Sequence, residues 1–391
     1  MRKIAVINFL DHFIFYSVSV ILPLYLIHKN FSLSEIGILL SIMPFVSIFF
    51  RILFAYTADR IGYKIFFMLD GLAATVMNLV YFFAYAPLHF AFAKISEAVS
   101  TQSFWAVNRT AIYSLSNRNE EKKAVLMDVI RRIAIASGTF LSGFLIATVS
   151  FEHTFLFLAL ISLALLFVAS TIRKETKHKD IIFKNLLRTV FKEKRPAFWH
   201  TAFAMVFSVS LLTILVMFAF PIFMAENLKF SYEEIGLFLT LFYVLSAIAS
   251  YLVSLKIHLF KHLLLLMCIL SFSTILIPVS SKGLFIILFA LLSFSFGMLF
   301  AFHEFIIAKE TKNSDTVSTD IGILHIPTRI AQTIVLAVGG FLAQNFGFFQ
   351  VFLLSFFMFA AFAVVVYKLM KNYAISHSLH PQDGHSIHPS S

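Results

Sequence analysis

Charge is scarce in this sequence. Only 13% of the 391 residues are Asp, Glu, Lys or Arg, and 60% are hydrophobic, whereas a soluble domain carries about 25% charged residues. The phosphate-binding pattern Gly-x-x-x-x-Gly-Lys-Ser/Thr is absent, as are paired-cysteine and His-Glu-x-x-His metal motifs and the Gly-x-Ser-x-Gly elbow. The single cysteine, Cys268, excludes an internal disulfide. We therefore expect no cofactor, no metal site, no direct use of ATP and no enzyme activity.

Long apolar runs, by contrast, follow one another along almost the whole chain. Crossing a bilayer as a helix takes about 20 apolar residues, and twelve segments meet that length. They are 4–27, 34–56, 65–86, 88–113, 124–149, 153–172, 198–224, 233–256, 262–280, 283–308, 316–345 and 348–370. The pattern predicts an all-α integral membrane protein with twelve transmembrane helices.

The basic residues are distributed very unevenly between the loops. Loops on the side of the two termini hold 22 Lys and Arg residues, and loops on the other side hold 3. Cytoplasmic loops retain Lys and Arg, so both termini should face the cytoplasm. The net charge of +11 is then explained by topology in a plasma membrane, and no nucleic-acid partner is needed.

The two halves of the chain resemble each other. FSLSEIG at 31–37 recurs as FSYEEIG at 230–236, with five identities at an offset of 199. Independently, RIA and GFL at 132–145 recur at 329–342 at an offset of 197. The chain is therefore predicted to be a duplicated six-helix unit, with one bundle at 1–172 and a second at 198–370.

The remaining two segments are a linker and a tail. In the linker, 173–197, apolar residues four apart alternate with Lys and Arg, which predicts a basic amphipathic helix at the cytoplasmic surface. In the tail, 371–391, HSLHP at 377–381 recurs as HSIHP at 385–389. Its Pro, Ser and Gly content predicts disorder, and loose metal binding is the alternative.

The hairpin between the second and third spans resembles a known signature. Residues 55–64 read AYTADRIGYK, and the major facilitator superfamily carries Gly-x-x-x-Asp-Arg-x-Gly-Arg-Lys in the cytoplasmic loop at this place. Asp59, Arg60, Gly62 and Lys64 match that pattern. With twelve spans and a half-chain repeat, the chain resembles this superfamily over about residues 1–370. The resemblance implies two pseudo-symmetric bundles with a substrate site between them, near mid-membrane.

The resemblance also assigns a role to the acid of the motif. In the family this acid holds the two halves together on the cytoplasmic side, by contact with a neighbouring base and with the start of the eleventh helix. Asp59 is accordingly expected to act as a gate, with Arg109 as its partner. The second half has His258 in the place of Asp59 and has lost the motif.

Ionisable residues inside spans are costly in a membrane and are candidates for function. Polar residues form one stripe on the first helix, with Asn8, Asp11 and His12, and another on the fourth, with Lys94, Glu97 and Trp105. We expect Asp11 and Glu97, with His12 behind them, to carry coupling protons. We expect Asn8, Lys94 and Trp105 to bind substrate, and the alternative for Lys94 is an internal ion pair with Glu97.

Two arginines occupy equivalent places in the two repeats. Arg132 and Arg329 would face each other across the pseudo-two-fold axis, near Gln332, and the guanidinium fork suits a carboxylate or a phosphate. The alternative is that each arginine pairs with a local acid, as Asp128 would with Arg132. Ionisable residues near the cytoplasmic ends of helices are expected either to make gate contacts or to snorkel, with the charged group reaching the membrane interface. They include Asp70, His303 and Glu304.

These observations predict a secondary transporter that works as a monomer. It would move a small anionic or zwitterionic organic solute with a proton, by alternating access between the halves. One alternative is efflux of hydrophobic compounds by proton antiport, although 138–143 lacks the proline of the family's antiporter signature. Another is an integral-membrane enzyme acting on lipid, for which His303 and Glu304 are the candidate cluster.

Overall fold

The computed structural model describes residues 2–114, 120–173, 194–311 and 317–379. Within these ranges the chain forms twelve helices in succession. They are α1 (Arg2–His28), α2 (Leu33–Ile61), α3 (Tyr63–Phe83), α4 (Pro87–Ser114), α5 (Glu120–Thr148), α6 (Phe151–Ser170), α7 (Pro196–Glu226), α8 (Tyr232–Leu255), α9 (Ile257–Val279), α10 (Lys282–Thr311), α11 (Val317–Phe346) and α12 (Phe348–Leu379). The predicted amphipathic linker helix and the tail from 380 lie outside the described residues.

Eleven of these described helices contain a stretch long and apolar enough to cross a membrane. The other one is α4, which the sequence also predicted as a transmembrane span. Its inward stripe carries Lys94, Glu97 and Asn108, and all three side chains are buried. Burial inside the bundle keeps these polar groups away from lipid, and this explains why α4 is less apolar than the others.

The duplicated heptapeptide starts two equivalent helices. In α2, the Ser32 hydroxyl accepts from the backbone N–H of Glu35, whose carboxylate accepts from the N–H of Ser32 at 2.8 Å. In α8, Ser231 and Glu234 repeat this arrangement, with the reciprocal bond at 2.7 Å. Each pair is a capping box, which satisfies backbone donors that a helix start leaves free. The sequence repeat thus encodes the same helix start twice.

Helix α7 changes its winding in the middle. Residues Leu212–Ala219 form a π-helical segment between two α-helical parts, and Pro221 follows two residues later. A proline removes one backbone donor and crowds the carbonyl one turn earlier, and a wider turn relieves that crowding. Wide turns of this kind are frequent at functional sites. The segment places Thr213 against α11.

The first six helices form one half and the last six the other. Contacts between the halves are made mainly by α2 with α11 and by α5 with α8, and α1 packs against α7. The start of α1 and the end of α12 lie at one end of the bundle, here named the terminal face. The opposite end, named the far face, carries the short connections at 29–32, 149–150, 227–231 and 347.

The outer surface of both halves is apolar. Large side chains such as Phe49, Phe83 and Phe167 are 63–71% exposed, which would be a severe liability in water and is normal for a lipid-facing helix. The interior of the second half is a cluster of aromatic rings that includes Phe220, Phe242 and Phe289. Most of the many phenylalanines are therefore accounted for by lipid contact and packing.

Candidate substrate and proton-coupling site

A polar chain, of which Gln332 and Thr213 are buried and Arg329 is partly buried, links α11 to α7. Arg329 donates from Nη1 to Oε1 of Gln332 at 3.0 Å, and Nε2 of Gln332 donates to the Thr213 hydroxyl at 2.7 Å. The hydrogen-bond partner that the structure gives Arg329 is thus a neutral amide, and no carboxylate pairs with it among the described residues. Arg329 and Gln332, both expected to bind substrate, lie together, and no acidic side chain among the described residues pairs with the charge of Arg329.

The equivalent arginine in the first half has a different environment. Arg132 Nε lies 2.7 Å from Oδ2 of Asp128, and Arg131 pairs with the other oxygen of the same carboxylate. This is the local pair that the sequence offered as the alternative for Arg132. Two guanidinium groups nevertheless share one acid, so this turn of α5 still carries one excess positive charge.

Aromatic rings from both halves meet beside α1. Tyr16 of α1 contacts Tyr243 of α8 with ring centroids 5.3 Å apart, and His12 contacts Trp105 at 5.7 Å. The hydroxyl of Tyr243 is buried and has no hydrogen-bond partner among the described residues. Trp105, an expected substrate ligand, is thereby placed in an aromatic group that reaches across the interface.

Asn8 is held inside the first half. Its amide Nδ2 donates to Asn108 Oδ1 at 2.8 Å and to the carbonyl of Ile4 at 2.9 Å, and Nδ2 of Asn108 donates back at 2.9 Å. Both amide hydrogens of Asn8 are used in this way. The Asn8–Asn108 hydrogen bonds join α1 to α4, and the expected contact of Asn8 with substrate stays a prediction.

The expected coupling residues lie in the interior of the first half. Lys94 donates to Glu97 at 2.7 Å, so the internal ion pair weighed from the sequence is formed, and the Tyr81 hydroxyl lies 3.3 Å from the same carboxylate oxygen. On α1, Oδ2 of Asp11 lies 3.1 Å from Nδ1 of His12, and the same nitrogen is hydrogen-bonded to the carbonyl oxygen of Asn8 at 2.9 Å. Asp11 and Glu97 both line a small cavity between α1, α3, α4 and α6.

Two expectations about helix ends are corrected. Asp70, expected at the gate or snorkelling, is fully buried at 0% exposure, because α3 turns it toward α1 and α4, where Ser100 donates to it at 2.6 Å. His303 is also buried and contacts the Ser208 hydroxyl at 2.7 Å, whereas Glu304 is exposed. His303 and Glu304 point to different environments and do not form the cluster that a lipid-acting enzyme would need.

Only part of the expected gate is described. Gly62 ends α2 and begins α3 with φ 84°, a backbone conformation that glycine adopts without strain, and Lys64 lies in the first turn of α3. The side chains of Asp59, Arg60 and Arg109 lie outside the described residues, as does the segment 312–316. The latch function of Asp59 remains a prediction.

At the far face the two halves are in close contact. Gly37 of α2 packs on Gly340 of α11, and Gly143 of α5 packs on Gly236 of α8, so that a Cβ on any of the four would meet backbone atoms at 3.0 Å or less. Within the first half, the hydrogen bond from Lys29 to Glu152 at 2.9 Å raises the pKa of the Lys29 ammonium. The two glycine contacts, at which backbone meets backbone, therefore close this face between the halves.

Comparison with known proteins agrees with this architecture. The model of the Major Facilitator Superfamily matches residues 4–216 and 202–384. The chain belongs to this superfamily. It is thus a multi-pass secondary transporter and not an enzyme, and the twelve-helix fold predicted from the sequence is confirmed. A comparison with curated protein sequences found no match.

Solved structures extend the comparison. The nucleoside transporter NupG is similar in two crystal structures, one of them of a point mutant. The mutant matches with a TM-score of 0.79 at 13% identity, over 94% of this chain and 98% of that one. The other matches with a TM-score of 0.75 at 14% identity over the same shares. At this identity the likeness shows a common fold.

Sequence reasoning missed several residues of the site. Thr213, Tyr16 and Tyr243 are common residue types in apolar helices and carry no pattern of their own. Asp70 did carry a signal, since an acid within a span is costly, but its distance along α3 suggested a helix end. Thr213 could have been found as the one hydroxyl residue between Ser210 and Phe220 of α7.

Proposed function

We propose that this superfamily member moves a small organic anion together with protons across the plasma membrane, with its termini in the cytoplasm. The observation that carries the proposal is Arg329, whose charge is desolvated between the helices and has Gln332 as its partner. A cation inside a bilayer is costly unless it is paired. A substrate carboxylate or phosphate would supply the missing charge in the bound state.

The charges of the first half also favour an anionic substrate. Arg131 and Arg132 together carry one positive charge more than Asp128 neutralises. The two halves therefore each present an excess cation from equivalent turns of α5 and α11. An anion bound between them would draw the halves together, and this gives the substrate a stronger interaction in one state of the cycle than in another.

A second candidate is a neutral solute with a planar ring. It is favoured by the aromatic group of Tyr16, Trp105 and Tyr243, together with the unpartnered Tyr243 hydroxyl. NupG, which has the same fold, transports nucleosides, and a nucleobase would stack on such rings. Efflux of hydrophobic compounds requires both arginines to be locally neutralised. Arg132 shares the single carboxylate of Asp128 with Arg131, and Arg329 pairs with the neutral Gln332, so efflux ranks lower.

A thermal-shift screen of the purified protein tests the proposal, since a ligand stabilises the state that it binds. The panel contains small carboxylates, phosphate esters, nucleosides and hydrophobic cations. We expect an anion to raise the melting temperature, and Arg329→Gln to weaken its binding about 10- to 150-fold, the value of a charge-assisted hydrogen bond of about 1.5–3 kcal/mol. Arg173→Gln, at an exposed arginine of the first half, is the matched control and should bind normally.

Uptake into proteoliposomes completes the test. The stabilising anion is expected to accumulate when the lumen is made alkaline relative to the medium, or to leave when the gradient is reversed. Equal binding by the wild type and Arg329→Gln would remove the arginine from the site. Stabilisation by nucleosides alone, unaffected by that substitution, would establish the second candidate instead.

A further inference from the structure

The cavity inside the first half contains more acid than base. It lies between α1, α3, α4 and α6, and its volume open to the centre of a water molecule is about 10 Å³, which is room for about one water. Three carboxyl groups line it, those of Asp11, Asp70 and Glu97. All of its lining residues belong to one half, so it is separate from a site formed between the halves.

Two of these three acids lie near a side-chain nitrogen. Glu97 pairs with Lys94 at 2.7 Å. Oδ2 of Asp11 lies 3.1 Å from Nδ1 of His12, but that nitrogen makes its hydrogen bond, at 2.9 Å, with the carbonyl oxygen of Asn8. The titratable groups around the cavity come from α1 (Asp11, His12 and Tyr16), α4 (Lys94 and Glu97) and α3 (Asp70 and Tyr81), and Arg131 of α5 faces His12 and Tyr16. The residue of α6 at the cavity is the apolar Leu165. Asp70 is the acid that no base approaches among the described residues.

The two oxygens of Asp70 have different surroundings. Oδ1 accepts a short hydrogen bond of 2.6 Å from the Ser100 hydroxyl. Oδ2 is buried without a hydrogen-bond partner among the described residues, on a side chain that is 0% exposed and lines the cavity. Leaving a buried charged oxygen unpaired is energetically unfavourable. A ligand that adds one positive charge at Oδ2 removes that cost.

We propose that Asp70 binds and releases the coupling proton on its Oδ2 atom. One proton adds to the carboxylate to give the neutral acid, and its release restores the carboxylate, with no other bond formed or broken. Ser100 holds the opposite oxygen in place, and Asp11, which is 11% exposed and lines the same cavity, is the group through which the proton arrives. The inference rests on the proton coupling proposed above, and it moves the coupling site away from the substrate and into one half.

The geometry favours a proton over a metal cation. Among the described residues no three His, Cys, Asp or Glu side chains are placed to hold one metal ion. The cavity has room for about one water, whereas a hydrated cation needs several oxygen ligands at once. A proton needs one oxygen atom.

The first experiment needs no substrate. Infrared difference spectra of the purified protein, recorded as the pH is lowered, should show the carbonyl band of a protonated buried carboxyl. Asp70→Asn should lose intensity corresponding to one carboxyl group. Glu152→Gln, which removes a half-exposed acid of the same half, is the matched control and should retain the band. Spectra in sodium and in potassium chloride should be the same.

The second experiment uses the anion found in the screen. Asp70→Asn proteoliposomes should exchange labelled for unlabelled anion at a rate close to that of the wild type, while accumulation driven by a pH gradient falls to the level without a gradient. Asn keeps an acceptor for Ser100 and nearly the same volume. If this variant does not give monodisperse protein, Asp70→Ser is measured in the same two assays.

The outcomes separate the two proposals. A carboxyl band that persists in Asp70→Asn, or one that sodium abolishes, overturns the assignment of the proton to Asp70. Gradient-driven accumulation that survives Asp70→Asn overturns its coupling function even where the band is lost. If no anion responds to a pH gradient in the wild type, the proposed function fails on its own, whatever the infrared spectra show.

Discussion

The glycine contacts at the far face provide a quantitative test of alternating access. Gly37 and Gly236 occupy equivalent positions in the repeated heptapeptide, and Gly340 and Gly143, on which they pack, are equivalent as well. A Cβ on Gly37 would lie 2.5 Å from the carbonyl oxygen of Leu336. The obstacle is backbone, which cannot rotate away, so the helices of the two halves must separate to admit a methyl group.

The expected size follows from the cost of overpacking. Inserting one extra carbon into a close contact costs about 1–3 kcal/mol, and here the cost falls on the state in which the far face is closed. Gly37→Ala should therefore shift the balance toward the state open at this face by about 5- to 150-fold. Adding Gly236→Ala at the second contact should shift it further and slow transport, because the cycle requires both states.

The distance between the halves is measured with two spin labels. The labels replace Val149 and Asn345, which are exposed at the far-face ends of α5 and α11, in a background in which the one native cysteine is removed by Cys268→Ser. Gly283→Ala is the matched control, because a Cβ at Gly283 meets no atom within 4 Å. If the glycine variants and this control give the same distance distribution, the far-face seal does not depend on these contacts and the reasoning is wrong.

Three further outcomes are expected. Asn8→Ala should lower the free energy of unfolding by about 1–3 kcal/mol, because it leaves the buried amide of Asn108 unpaired; Asn8→Ala combined with Asn108→Ala should cost less than the sum of the single changes. Ser231→Ala and Ser32→Ala should each cost about 0.5–2 kcal/mol through the lost cap, measured by thermal melts against Ser34→Ala as the control. A reporter fused within residues 174–193 should be active in the cytoplasm, and activity outside the cell would reverse the proposed topology.

The sequence repeat could be detected by comparison of the two halves, but its purpose could not. The heptapeptide contains the Ser and Glu of a capping box, whose local nature makes it readable from sequence alone. The glycine at its end looks like an ordinary helix position. In the first copy, Gly37 packs on Gly340, about 300 residues away, and in the second copy Gly236 packs on Gly143, about 90 residues away. Contacts between residues so far apart in the chain cannot be inferred from a local pattern.

The sequence predicted which charged residues are buried, but it did not predict which groups they pair with. The cost of an ionisable group in a membrane is enough to identify Asp11, Glu97 and Arg329 as candidates from the sequence alone. The same reasoning paired Arg132 with Arg329 from their equivalent positions. The structure shows the two in unlike environments, because the acid at Asp128 is present in α5 and α11 offers Gln332 instead.

Composition and hydropathy by themselves predicted a membrane protein of twelve helices, the repeated heptapeptide predicted two alike halves, and the motif at 55–64 carried the resemblance to the major facilitator superfamily. Those properties depend on residues near one another in the chain, through helix length, period and local caps. The tertiary structure alone decided which polar groups face one another: Asp70 with Ser100, Arg329 with Thr213 through Gln332, and glycine with glycine across the halves. Each of these contacts is set by the rotation of one helix against another, which no local pattern specifies.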